Sequence, residues 1–154
     1  MSDRGYPLYA LRAFEEFLWG VSEIPGPRHH ERIQQYHAWT NVGPSAADEI
    51  PWCSSGLNFC MVVSGIRGTG NAMARSWLWW GRAIAEPTRG CVTVLQRGNP
   101  SGPSGHVGIF IRDRGDLIEL LGANQRDTWG FGSFPKMQLL GYRVPEPEDY
   151  FLGG

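Results

Sequence analysis

The chain has 154 residues, of which 42% are hydrophobic and 19% charged, and its formal net charge is -1. That length fits one domain with its own core, and the composition excludes a disordered chain. The near-zero charge excludes a broad electrostatic footprint for nucleic acid, and no apolar run approaches the ~20 residues of a membrane span.

The N-terminal stretch MSDRGYPLYALRAFEEFLWG carries acids inside its apolar run and has no small-residue cleavage site, so it does not read as a secretory signal. Within it, Leu8, Leu11, Phe14, Phe17 and Leu18 fall at helical spacing over residues 7–20, with Pro7 suited to the first turn and Gly20 to the stop. SEIPGP at 22–27 reads as a turn. Residues 29–39 predict a second helix with Ile33 and Tyr36 on one face. His29, His30 and His37 lie on it and read as solvated, because no spaced partner completes a zinc set. Residues 40–51, rich in Gly, Pro, Ser and Asp, read as loop.

CSSGLNFCMVVS at 53–64 predicts a helix ended by Gly65, with Leu57, Cys60, Met61 and Ser64 as one stripe. Residues 71–80 predict a further helix ended by Gly81; Trp77, Trp79 and Trp80 cannot all face inward from it, so at least one is expected to be exposed. After residue 90 the period changes. Short β-rich runs occupy 91–96, 106–111, 116–122 and 137–144, with RDRG at 112–115 as a hairpin loop. PEPEDYFLGG is expected to be a loose tail at 146–154, leaving a core of about 6–145. Helices first and strands later predict a single α+β domain over 1–154, with N-terminal helices packed on a small antiparallel sheet.

Three cysteines occur, Cys53, Cys60 and Cys91, without a CxxC pair. An odd number leaves at least one thiol free within one chain. Cys60 lies in an apolar stripe and Cys91 opens a strand, so both read as core. Cys53 follows Pro51-Trp52 and opens a helical pattern, where free N–H groups and the helix dipole favour a thiolate and can hold an oxyanion. Position alone does not make it a nucleophile, since free cysteines are usually buried and inert. A nucleophile also needs a base and a group that orients the base.

His106 follows a Gly/Ser/Pro loop and opens an apolar strand, so it is the candidate base. If 106–111 and 116–122 pair as a hairpin, the end of the second strand returns beside it. That places Asn124 as the orienter, with Gln125 as the fallback and Glu119 farther off. GIRGTGNAM lacks a full GxGxxG and follows a helix, so it does not read as a dinucleotide loop.

DEIPWCSSGLNFC, ARSWLWWG, GHVGIF, LLGANQ and LLGYRVP, in this order over about residues 23–142, resemble the CHAP and NlpC-type cysteine peptidoglycan hydrolases. The resemblance implies a papain-like fold, with Cys53 as nucleophile, His106 as base and Asn124 as third residue. It implies backbone N–H groups near Cys53 and Ser54 as the oxyanion site. Trp52, Trp77 and the loop ending at Gly105 would line the substrate groove, with Gln125 beside them.

The implied activity is cleavage of an amide bond in peptidoglycan, as a cysteine endopeptidase or an N-acetylmuramoyl-L-alanine amidase, in the manner of a phage endolysin or virion-associated lysin. The implied partner is the stem peptide or glycan of the wall, reached from the cytoplasm through a holin, on a virion beside phage structural proteins, or by another export route. The alternatives are a silent papain-like module of a phage tail or baseplate, and a thiol amidohydrolase or acyltransferase on a non-wall substrate.

No cofactor is expected, and no metal, since ADE at 47–49 offers two carboxylates where calcium takes about six or more oxygens. Three positions depart from the family pattern. Gly122 stands where a glutamate is common, Gly90-Cys91 where Gly-Asp is common, and Gly56 where a bulky residue is usual. Gly56 is expected to open room beside the thiol.

Overall fold

The computed structural model describes residues 5–21, 31–43, 52–125 and 127–151. It is α+β. Three α-helices, α1 (Leu8–Trp19), α2 (Glu31–His37) and α3 (Cys53–Val63), precede a six-stranded sheet. The strands are β1 (Arg82–Ile84), β2 (Val92–Gln96), β3 (Gly105–Arg114), β4 (Leu117–Gln125), β5 (Thr128–Pro135) and β6 (Leu139–Val144). Their spatial order is β1-β6-β2-β3-β4-β5 and every pairing is antiparallel.

Strand alternation divides the sheet into two apolar faces. Val92, Val94, Val107, Ile109, Leu121 and Ala123 face the helices. Cys91, Leu95, Phe110, Ile118, Leu120 and Tyr142 form a second cluster on the opposite face. α3 lies innermost among the helices. Eight of its residues are buried, including the polar Ser54, Ser55 and Asn58.

Gly56 sits where α3 meets the sheet. A Cβ there would stand 2.7 Å from Ala123 Cβ and 3.0 Å from the Trp129 ring. The glycine therefore brings the helix down onto β4 and β5, and the room expected beside the thiol is filled.

The helices differ from expectation in which residues face inward. On α1 the buried residues are Tyr9, Ala10, Ala13 and Glu16, whereas Leu8, Leu11, Leu18 and Trp19 are exposed. Small residues let the helix approach closely, and the buried Glu16 carboxylate is held by Arg32 at 2.8 and 2.7 Å and by the Tyr36 hydroxyl. Trp129 Nε1 donates to that same hydroxyl at 2.8 Å, tying α1 and α2 to β5. His37, expected to be solvated, is fully buried with Nδ1 bonded to Ser55 Oγ at 2.8 Å. His29 and His30, the turn at 22–27 and the acids at 47–49 lie outside the described residues.

The helix expected at 71–80 is a short 3-10 segment, Ala74–Trp79, in which Trp77 and Trp80 are buried and Trp79 is 90% exposed. β3 runs on through the expected hairpin loop to Arg114, and the turn is made at Gly115 (φ 81°) and Asp116. The described part of the tail, through Phe151, is anchored. Arg67 N–H donates to Asp149 C=O, and Phe151 N–H to Gly65 C=O, which seats residues 149–151 against the end of α3. Glu146 and Asp149 cap the short helical turn between them.

Candidate active site

The first hydrogen bond of α3 runs from Gly56 N–H to Trp52 C=O at 2.8 Å. The N–H groups of Cys53, Ser54 and Ser55 therefore lie upstream of the helical ladder, where the helix end favours negative charge. The polar residues behind them fix this first turn. Ser54 Oγ donates to Asn71 C=O at 2.6 Å and accepts Trp77 Nε1–H at 2.8 Å. Asn58 donates to Ser54 C=O at 3.0 Å and accepts Gly70 N–H at 2.9 Å. The GTGN loop is thus a clamp on the helix start.

β3 brings His106 to this point. The imidazole of His106 and the backbone N–H of Val107 are among the groups that act on the Cys53 thiol. Burial by itself pushes the Cys53 thiol up. The hydrogen bond and charge of His106, with Val107 N–H and the Arg97 guanidinium, outweigh it and hold the thiol below its ordinary value. Among the described residues Cys60 has no imidazole beside it, and burial drives it well above the usual range. Cys91 is pushed up to about 11, again chiefly by burial. Both are core residues, 0% and 1% exposed.

The imidazole is oriented by Gln125. His106 Nε2 lies 2.8 Å from Gln125 Oε1. The Gln125 amide nitrogen donates to Gly130 C=O at 2.6 Å and to Leu120 C=O at 3.4 Å. Its oxygen must then face the ring and accept, so Nε2 carries the proton and Nδ1 presents a lone pair. Gly122 and Gly132 make space for this amide. A Cβ on Gly122 would collide with Gln125 Oε1 and stand 3.3 Å from His106 Nε2, and one on Gly132 would stand 3.0 Å from Gln125 Nε2. Phe134 covers the other side of the imidazole, with ring centroids 5.2 Å apart.

Asn124, expected in this role, is displaced from it. Regular alternation through Ile118, Leu120 and Gly122 would put residue 124 on the His106 face. The β4–β5 register shifts between Gly122 and Gln125, and Asn124 takes a left-handed conformation, φ 57°. The extra residue inverts the alternation and hands that face to Gln125. Glu119 is committed elsewhere, to Arg112 at 2.7 Å.

The expected groove residues are only partly where the sequence suggested. Trp52 is fully buried and stacks on Tyr36 at 5.9 Å, and Trp77 is fully buried under Ser54. Neither lines a surface groove. Their indole N–H groups and size fit them to the core, and only Trp79 of this group reaches solvent. Gly105 sits close against Leu95 C=O and the Arg75 side chain, at the start of the strand that carries His106. Sequence reasoning passed over Arg97, which directly follows β2 beside the strand of His106 and places Nη2 3.5 Å from His106 Nδ1.

Among the described residues, no group of three or more His, Cys, Asp and Glu side chains could hold a metal ion, and no helix is long and apolar enough to cross a membrane. No protein-family model, curated protein or solved structure matches this chain.

Proposed function

We propose that the chain is a cysteine hydrolase with a papain-like fold that cleaves an amide bond of bacterial peptidoglycan. The observation that carries the chemistry is that β3 sets His106 near the start of α3, where Cys53 sits, with its Nε2 held 2.8 Å from the Gln125 amide oxygen; His106 is among the groups that lower the Cys53 thiol. The wall as substrate rests on the resemblance of the ordered motifs to CHAP and NlpC-type enzymes.

In the proposed reaction, His106 Nδ1 takes the Cys53 proton and the thiolate attacks the amide carbonyl. The N–H groups at the start of α3 hold the oxyanion. The imidazolium returns its proton to the departing amine, leaving an acyl-enzyme. Water, deprotonated by His106, then releases the acid and the free thiol. Gln125 takes the part that asparagine plays in Cys-His-Asn peptidases: it fixes the tautomer and the ring plane.

The test is digestion of purified peptidoglycan, with new amine and carboxyl ends read by mass spectrometry. Wild type should release them, and Cys53→Ala, with its fold intact, should not. Equal release by Cys53→Ala would refute the hydrolase reading. Release from a non-wall amide with none from peptidoglycan would keep the thiol chemistry and reject the wall.

A further inference from the structure

Among the described residues, Arg97 is the charged side chain within hydrogen-bond distance of His106. It is exposed just past the end of β2, with Nη2 3.5 Å from His106 Nδ1. Among the described residues it has no carboxylate within ion-pair distance, whereas Arg12, Arg32 and Arg112 each have one. It lines a pocket of about 450 Å³ together with Gln125, Phe134 and Glu119. Glu119 belongs to the wall of that pocket, but Arg112 holds it at 2.7 Å, and only 16% of its side chain is exposed. The pocket thus offers one cation without a carboxylate partner among the described residues, an aromatic wall, and Gln125, whose amide oxygen holds His106 from behind.

Reaction geometry says which half of a substrate comes here. The imidazolium gives its proton to the departing amine, so the amine half must sit over His106. A guanidinium beside that position binds a carboxylate through paired N–H donors. We propose that Arg97 selects substrates whose amine half carries a free carboxylate next to the scissile amide, as an amino acid released from a peptide does. The proposal rests on the Cys53–His106 reading above and narrows its substrate class.

The experiment compares two alkylating agents of nearly equal size, anionic iodoacetate and neutral iodoacetamide. Rates at Cys53 are measured at pH 6.5 by peptide mass spectrometry, and their ratio is normalised to that of a small free thiol. Both agents form the same S–C bond with loss of iodide. A changed thiol pKa or a loosened dyad therefore cancels in the ratio, while an anion site does not.

The normalised ratio should exceed one in wild type and fall about fivefold in Arg97→Gln, the effect of one partly exposed ion pair. Arg97→Lys should keep most of it, Arg114→Gln all of it, and high salt should flatten it in wild type alone. Slow alkylation of Cys60 and Cys91 in each variant reports that the fold persists. An unchanged ratio in Arg97→Gln, with iodoacetamide still fast, overturns the role of Arg97 and leaves the dyad standing. Slow iodoacetamide reaction in wild type at this pH overturns both.

Discussion

The two ends of α3 present the same side chain in opposite settings. Cys53 and Cys60 lie on one helix, and both are buried, 5% and 0% exposed. One thiol is held below its ordinary value and the other far above it. Burial raises both. What differs is the company: an imidazole, a backbone N–H and a guanidinium at Cys53; at Cys60, the Glu16 and Arg32 side chains, whose charges act in opposite directions. The lower thiol is set by β3 and β4, which carry His106 and Gln125, and by Arg97 just past β2.

Removing the partner should erase the contrast. With His106→Ala, Cys53 alkylation at pH 6.5 should drop toward that of an unassisted buried thiol, and hydrolysis should fall about 10³-fold or more. In wild type the alkylation profile of Cys53 should rise at a pH below the ~8.5 of a free thiol. Gln125→Ala keeps the imidazole but frees its tautomer, and should lower kcat about 100-fold while the thiol profile broadens. Gly122→Ala tests the same support from outside. Its methyl group displaces the Gln125 amide, so kcat should fall about tenfold, in the same direction as Gln125→Ala and without adding to it in the double variant.

The Cys60 end is tested by alkali. Its folded pKa is raised, so above the unfolded value the unfolded chain has lost a proton that the folded chain retains. Stability is then full below about pH 8.5 and declines as pH rises, by at most about 1.4 kcal/mol per pH unit for this group. Urea unfolding of wild type and Cys60→Ala at pH 7 and pH 9.5 should show a smaller alkaline loss in the variant, with Cys91 contributing to the loss in both. The smallest effect is expected from Glu16→Gln. Burial dominates at Cys60, so its thiol should stay unreactive at pH 7 despite the lost charge. Rapid alkylation there would show that the Glu16 carboxylate was the main guard.

Much of this site could be read from local pattern. A cysteine after a loop and at the head of an apolar helix, and a histidine at the head of an apolar strand, are statements about neighbouring residues. The partner of His106 was misplaced because strand alternation counts residues evenly, and a single left-handed residue, Asn124, resets the count. β5 was missed because TWGFGSFP breaks its apolar pattern with Gly130 and Gly132; Gly132 is where the Gln125 amide packs. The inner face of α1 was read from its large apolar residues; Phe14 and Phe17 do pack against the core, but Leu8, Leu11 and Leu18 are exposed or point away from it. The buried choice was set by close approach through Ala10 and Ala13 and by an ion pair formed with α2. Arg97 gave no signal in sequence, since its meaning depends on the strand beside it.

The strand order carries a consequence for how the chain matures. β2 sits between β3, which follows it directly, and β6, which is made only after β3, β4 and β5. During synthesis at about 5–20 residues per second, β2 therefore waits for seconds with one edge of N–H and C=O groups open. The high contact order of the β2–β6 pairing slows closure of the sheet further. An exposed, apolar strand edge is a template for pairing with other chains. Slower translation or lower temperature should thus matter more to the soluble yield of this protein than substitutions on its finished surface.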